Sequence, residues 1–135
     1  MPVPCAILGD SLAAGVAVYR RDCASDTKDG ITSARYAASH IMAVDADTVL
    51  ISLGVNDGIP DRGTGENLLR LRLGTLARRV YWILAAHPDA TRRLITAIAH
   101  TYGDRLIETR GFTGADGLHL SGQAYRSIAE VFDLP

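Results

Sequence analysis

The stretch Thr48-Val49-Leu50-Ile51-Ser52-Leu53-Gly54 decides the fold. Thr48, Val49 and Ile51 are β-branched, Leu50 and Leu53 keep the run apolar, and Gly54 stops it. Side chains of a strand alternate between faces, so a run apolar at successive positions is apolar on both. Such a strand belongs in the middle of a parallel sheet covered by helices on each side.

Outward from this strand, helix-like and strand-like segments alternate. Upstream, Pro4 to Leu8 reads as a buried strand ending at Gly9, and the small apolar residues from Leu12 to Tyr19 start a helix. Arg20 to Asp29 is polar loop with room for a brief strand near Cys23, and the alanine-rich Thr32 to Met42 reads as a helix. Asp45 and Asp47 read as helix-end and turn residues. Downstream, Gly58 to Gly65 reads as loop, and Glu66 to Arg79 as an amphipathic helix with Leu69, Leu73, Leu76 and Val80 on its apolar stripe. Val80 to Leu84 is a strand, Pro88 and Asp89 open a helix running to about Tyr102, and Arg105 to Glu108 is a last short strand. Gly111 to Gly117 is loop, and Ser121 is the N-cap of a final helix. The alternation predicts an α/β protein: a three-layer α/β/α sandwich around a parallel sheet.

The chain's 135 residues fit a single domain, 1–135. With 47% apolar and 21% charged residues it has the make-up of a soluble globular protein, which sets aside disordered and fibrous classes. A net charge of −1 supplies no field for nucleic acid or an anionic membrane. No apolar stretch approaches the ~18 residues a membrane span requires. Pro2, Pro4 and Asp10 interrupt the start of the chain where a leader would place its apolar run, so a cytoplasmic protein is expected. In that setting Cys5 and Cys23 read as buried free thiols, a disulfide being geometrically possible if their segments are neighbouring strands. Oligomeric state is not legible.

In a doubly wound sheet the reactive crevice lies beyond the carboxyl ends of the strands. Three short motifs fall there. Gly9-Asp10-Ser11-Leu12 follows the first strand, and a serine at a strand-to-helix turn presents its hydroxyl to the crevice. Asp10 suits bracing of the loop rather than chemistry. Gly54-Val55-Asn56-Asp57 follows the central strand, and the Asn56 amide can donate to a developing oxyanion. Asp116-Gly117-Leu118-His119 sits in the late loop; its spacing lets the carboxylate accept from one ring nitrogen and leaves the other for a serine proton. Each motif alone also describes an ordinary turn. In order along one chain they supply a nucleophile, an oxyanion donor, and a base with its orienting acid.

These motifs resemble the conserved blocks of the SGNH hydrolase superfamily, also called GDSL esterases. Gly9-Asp10-Ser11-Leu12 with Ala13-Ala14-Gly15 resembles the first block, Gly54-Val55-Asn56-Asp57 the third, and Asp116 to Ser121 the fifth, with Gly122 and Tyr125 in the helix that follows. The resemblance implies a flavodoxin-like sandwich and hydrolysis of acyl esters with no cofactor and no metal. It implies Ser11, Asp116 and His119 as the catalytic residues. It also implies an oxyanion hole from the backbone of Ser11, a second-block glycine and Asn56; Gly30, in Gly30-Ile31-Thr32-Ser33, is the candidate glycine.

The expected substrate is a small-molecule or carbohydrate ester carrying a short acyl chain, first of all an O-acetylated sugar. Few large apolar residues are available to line an acyl groove, and Arg62 and Arg110 give the rim a cationic character. Lysophospholipase or thioesterase activity is the alternative, and a non-catalytic flavodoxin-like binding module a third. A metal-dependent phosphodiesterase built on Asp10, Asp57 and His119 is the remaining rival. The α/β-hydrolase elbow is excluded because Ala13 stands where its last glycine would. No Walker loop, His-Glu-x-x-His or nucleic-acid motif occurs. His40, His87 and His100 lack mutual ligand spacing.

Overall fold

The structure, a computed structural model, describes residues 3–132. Its elements run β1 (Val3–Gly9), α1 (Ser11–Ala17), β2 (Ala24–Thr27), α2 (Ser33–Ser39), β3 (Val44–Ser52), a 3-10 turn (Val55–Asp57), α3 (Arg62–Leu73), β4 (Thr75–Leu84), α4 (Asp89–Tyr102), β5 (Arg105–Glu108) and α5 (Gly122–Val131). The five strands form one parallel sheet in the order β2-β1-β3-β4-β5. The α/β sandwich expected from the alternation is therefore the observed fold, with β3 at its centre.

Alternation along the central strands sorts the core into two layers. Val49 and Ile51 of β3, with Val80, Trp82 and Leu84 of β4, face a core completed by Tyr36, Leu68, Leu71, Ile95 and Ile98 from α2, α3 and α4. Leu50, Tyr81 and Ile83 face the opposite core, closed by Leu12, Ala13 and Val16 of α1 and by Tyr125, Ile128 and Ala129 of α5, with Phe132 just beyond. Each fully buried branched or aromatic side chain contributes ~1.5–3 kcal/mol. The apolar character of both faces is thus used on both faces.

Three expectations are corrected. The helix read over 66–79 starts earlier and stops earlier. Asp61 caps α3 through the N–H of Thr64, whose side chain returns the bond to the Asp61 N–H. Gly74 is its C-cap, and the position requires glycine because a Cβ there would stand 2.0 Å from the Met42 carbonyl oxygen. The buried stripe is Thr64, Leu68 and Leu71, while Leu69, Leu73 and Leu76 are exposed. Leu76 already belongs to β4. Asp45 and Asp47 lie within β3, which starts before Thr48.

Cys5 and Cys23 are joined by a disulfide across 4.8 Å of Cα separation, and no cysteine is free. Cys23 directly precedes β2, which pairs with β1, so the two residues are brought side by side by the sheet. The expectation of two free thiols, which followed from the cytoplasmic reading, is therefore corrected, and disulfides persist in oxidising compartments. Among the described residues no helix is long and apolar enough to cross a membrane.

Candidate active site

The carboxyl end of β1 turns sharply into α1 at Gly9 and Asp10. Gly9 has φ +133°, and a Cβ on it would lie 1.8 Å from the Ser52 carbonyl oxygen, so the approach of β1 to β3 requires glycine. That same carbonyl accepts the Asp10 N–H at 2.8 Å. Asp10 then caps α1, its Oδ1 accepting from the Leu12 N–H at 3.0 Å. Burial lifts its carboxyl to about 6, against the pull of the Ser52 hydroxyl and the Leu12 N–H. Its Oδ2 is buried without a partner in hydrogen-bond geometry. Ser11 is thereby the first residue of α1, and its N–H has no intrahelical acceptor.

His119 reaches this serine from the loop after β5. Its Nε2 lies 2.8 Å from the Ser11 Oγ, across 108 positions of sequence. Its Nδ1 lies 2.6 Å from Asp116 Oδ2. The other carboxylate oxygen, Oδ1, accepts the N–H groups of Leu118 at 2.9 Å and His119 at 2.8 Å. Gly117, at φ +71°, allows the turn. The His119 bond, then the two N–H groups, hold the Asp116 carboxyl down to about 2. Half of each side chain is open to solvent, 48% for His119 and 54% for Asp116. The loop is closed below the pair by the Gly114 N–H donating to the His119 carbonyl at 2.7 Å.

Asn56 stands in the 3-10 turn past β3 and donates its Nδ2 to the Ile31 carbonyl at 3.1 Å. The amide carries a second N–H, and this bond uses one. Gly30, next to Ile31, has φ +73°; its N–H donates to no acceptor among the described residues. The Lys28 N–H donates to the Gly9 carbonyl at 2.9 Å, tying the Gly30 loop to the strand that carries Ser11. The residues picked out in the sequence thus fall into two linked groups. Ser11, His119 and Asp116 form one hydrogen-bonded chain, and Gly30 and Asn56 are tied to the same strand ends.

No protein-family model matches this chain, and no curated protein matches it in sequence. Solved structures do. A protein of Bacteroides fragilis assigned as an acylhydrolase superposes with a TM-score of 0.70 at 15% identity, over 96% of this chain and 84% of its own. An assigned lipolytic protein of the G-D-S-L family from Desulfitobacterium hafniense superposes with a TM-score of 0.68 at 11% identity, over 95% and 96%. The chain has the GDSL-hydrolase fold. Identities this low carry the likeness of fold and nothing finer.

Within the GDSL fold, some residues acquire a place that sequence reasoning did not give them. Asp57 accepts from the Ser33 N–H at 2.7 Å, the Ser33 hydroxyl at 2.5 Å and the Thr64 hydroxyl at 2.8 Å. It therefore joins the starts of α2 and α3 beneath Asn56; no spacing along the chain links positions 33, 57 and 64. Gly15 lies against the Tyr125 ring, where a Cβ would stand 2.5 Å from Cε1, and the Tyr125 hydroxyl accepts the Leu120 N–H at 3.3 Å. The motif match contained both residues without giving a reason for either.

Two expectations about charge do not hold. Arg62 pairs with Glu66 one turn on, at 3.0 Å. Arg110 pairs with Asp89 and donates to the Ala86 carbonyl at 3.0 Å. Both are already engaged and offer the rim little free cationic character. The donors of the phosphodiesterase rival do not gather either. Asp10 is buried as a helix cap, Asp57 is bound to Ser33 and Thr64, and neither joins His119. The one group of potential ligand atoms close enough together among the described residues is Cys5, Asp22 and Cys23, whose sulfurs are bonded to each other.

Proposed function

We propose that the protein is a serine ester hydrolase that cleaves short-chain acyl esters, foremost O-acetyl groups on carbohydrate. One observation carries the reading: the unbroken chain from Ser11 Oγ through both nitrogens of His119 to Asp116. A serine hydroxyl at its ordinary pKa is a weak nucleophile, and a hydrogen-bonded imidazole makes it a competent one. Ser11 Oγ attacks the ester carbonyl as His119 Nε2 takes the hydroxyl proton. Asp116, ionised across the neutral range, orients the ring and stabilises the imidazolium. The oxyanion is held by the N–H groups of Ser11 and Gly30 and the free N–H of Asn56, each worth ~3–4 kcal/mol in the transition state. His119 returns the proton to the leaving alcohol. Water, activated by the same ring, then releases the acid from Ser11.

The likeness to proteins assigned as an acylhydrolase and a G-D-S-L lipolytic protein supports this class of reaction. The experiment is labelling with a fluorophosphonate probe followed by peptide mapping, with hydrolysis of p-nitrophenyl acetate in parallel. An adduct on Ser11 that forms only when His119 is present supports the reading. A folded, unlabelled and inactive protein favours the binding-module alternative.

A second reading has its own observation. An apolar cavity of about 230 Å³ lies between the loop after β5 and α5, lined by Phe112, Leu120, Ala124, Ile128 and Val131. Leu120 follows His119 directly. If this cavity receives acyl chains, each buried CH₂ contributes ~0.8 kcal/mol, and kcat/KM for p-nitrophenyl octanoate exceeds that for the acetate. A tenfold excess would move lysophospholipase or thioesterase activity ahead of deacetylation.

A further inference from the structure

Most arginines near the sheet's carboxyl end are neutralised by acids: Arg62 by Glu66, Arg92 by Glu108, Arg110 by Asp89. Lys28 and Arg35 are different. Neither side chain meets a carboxylate among the described residues, and both are exposed. They line one cavity of about 240 Å³ together with Asp29, Gly30, Ile31 and His40. His40 is taken up by Asp26 at 2.7 Å, leaving Asp29 as the one lining carboxylate against two cations.

The cavity's place matters as much as its charge. Gly30 and Ile31 form part of its wall; Gly30 is a proposed oxyanion donor, and the Ile31 carbonyl accepts from Asn56. Lys28 is tied by its backbone to Gly9, two residues before Ser11. A group seated here lies against Gly30, one of the proposed oxyanion donors. Its volume falls below the ~300–1,000 Å³ of drug-sized ligand sites, which suits a single ring. Unpaired cations on concave surface concentrate anions, and the arginine fork matches a carboxylate in shape.

We propose that this cavity is the alcohol-side subsite and takes a carboxylate-bearing sugar, so that the ester cleaved is an O-acetyl group on a uronic acid. The turnover part rests on the esterase reading above; the binding part does not. The test is calorimetric titration of the Ser11→Ala protein with an O-acetylated methyl glucuronoside and its O-acetylated methyl glucoside counterpart. The acidic sugar binds about tenfold more tightly at low salt, a margin of ~1.4 kcal/mol. The margin shrinks as ionic strength rises from ~0.01 to ~1 M and the Debye length falls from ~30 to ~3 Å. Adding Lys28→Gln and Arg35→Gln to the same protein brings the ratio close to one.

Lys28 is the chain's one lysine, so its ammonium gives a single side-chain signal in a nitrogen NMR spectrum, and that signal shifts on addition of the glucuronoside. Equal binding of the two sugars, a preference surviving the double substitution, or an unmoved lysine signal overturns the inference. The two readings fail differently. A wild-type protein that prefers the acidic sugar yet hydrolyses nothing upholds the subsite and refutes the esterase. One that hydrolyses p-nitrophenyl acetate and binds both sugars equally does the reverse.

Discussion

Asp57 holds Ser33 by both its N–H and its hydroxyl, at 2.7 and 2.5 Å, and so fixes the loop bearing Gly30 to the turn bearing Asn56. Its remaining bond, from the Thr64 hydroxyl, extends the hold to α3. Asp57→Ala leaves the Ser33 N–H without its acceptor and takes one bond each from the Ser33 and Thr64 hydroxyls, which keep Asn67 and Asp61 as partners, at a cost of ~1–3 kcal/mol for such a buried group. We expect lower stability in urea together with a fall in kcat, because two proposed oxyanion donors lose their common anchor. Unchanged kcat in the folded variant would reduce Asp57 to a stability residue.

Ser11→Ala and His119→Ala each remove one end of the 2.8 Å contact. The two act as a unit, so each alone lowers kcat by ~10⁴–10⁶ and the double variant lowers it little further. Melting temperatures stay near wild type, since both side chains lie at the open crevice. Either single variant retaining more than a tenth of kcat for p-nitrophenyl acetate would sink the assignment.

Asn56→Ala removes a donor engaged mainly in the transition state, so kcat falls ~10²–10³ with little change in KM. Asn56→Asp separates this role from the tether. It replaces the N–H donors by a carboxylate facing the Ile31 carbonyl, and activity drops at least as far. An effect confined to KM would mean that Asn56 only binds substrate.

The sandwich was legible because the strand around Val49 to Leu53 is apolar on both faces, and that pattern has few other homes. The three motifs could be picked out because two directly follow a strand end and the third sets a carboxylate and an imidazole at turn spacing in the late loop, and the structure brings Ser11, His119 and Asp116 into one hydrogen-bonded chain. Long-range contacts were not. Asp57 to Ser33 spans 24 positions and Gly15 to Tyr125 spans 110, and no periodicity encodes either. The stripe on α3 was misjudged because Leu68, Leu69, Leu71 and Leu73 support two rotations of the same helix, and only the tertiary packing of Leu68 and Leu71 selects one. The disulfide was open for a similar reason: whether Cys23 lies beside Cys5 depends on the brief strand β2, which local propensity scarcely marks.

The buried Asp10 carboxyl makes stability fall as pH rises. Burial lifts its carboxyl from 3.8 to about 6, so between those values the folded protein keeps a proton that the unfolded chain has lost. The stability tied to this proton is fully present below pH 3.8, is lost as pH rises to about 6, and changes no further above it. The loss is on the order of 3 kcal/mol. Asp116, held near 2 in the fold, adds stability of the opposite sign as its unfolded-state carboxyl ionises near 3.8, and this contribution is the same in both proteins and cancels in their difference. Urea unfolding of wild type and Asp10→Asn across pH 3.5 to 7 isolates the term by difference, at roughly 1.4 kcal/mol per pKa unit. Parallel pH profiles for the two proteins would show that the Asp10 carboxyl titrates alike in the folded and unfolded states and is not lifted by burial.

The last prediction concerns Gly15 and Tyr125, which couple the helix carrying Ser11 to the loop carrying His119. The Tyr125 ring lies against Gly15, and its hydroxyl holds the N–H of Leu120, the residue after His119. In Gly15→Ala the new methyl would meet the ring at 2.5–2.7 Å, inside any tolerable contact. The ring is buried and cannot swing clear without releasing Leu120. Overpacking of this kind costs ~1–3 kcal/mol, while alanine in place of glycine within a helix returns ~1 kcal/mol. The net loss of stability is therefore small, and the larger effect falls on kcat, as His119 shifts away from Ser11. Tyr125→Leu in the Gly15→Ala background removes the clash and restores part of kcat, although Tyr125→Leu alone lowers it. A double-mutant cycle on kcat measures this coupling directly. Additive effects would mean that the two residues act separately and that the Ser11–His119 distance is set elsewhere.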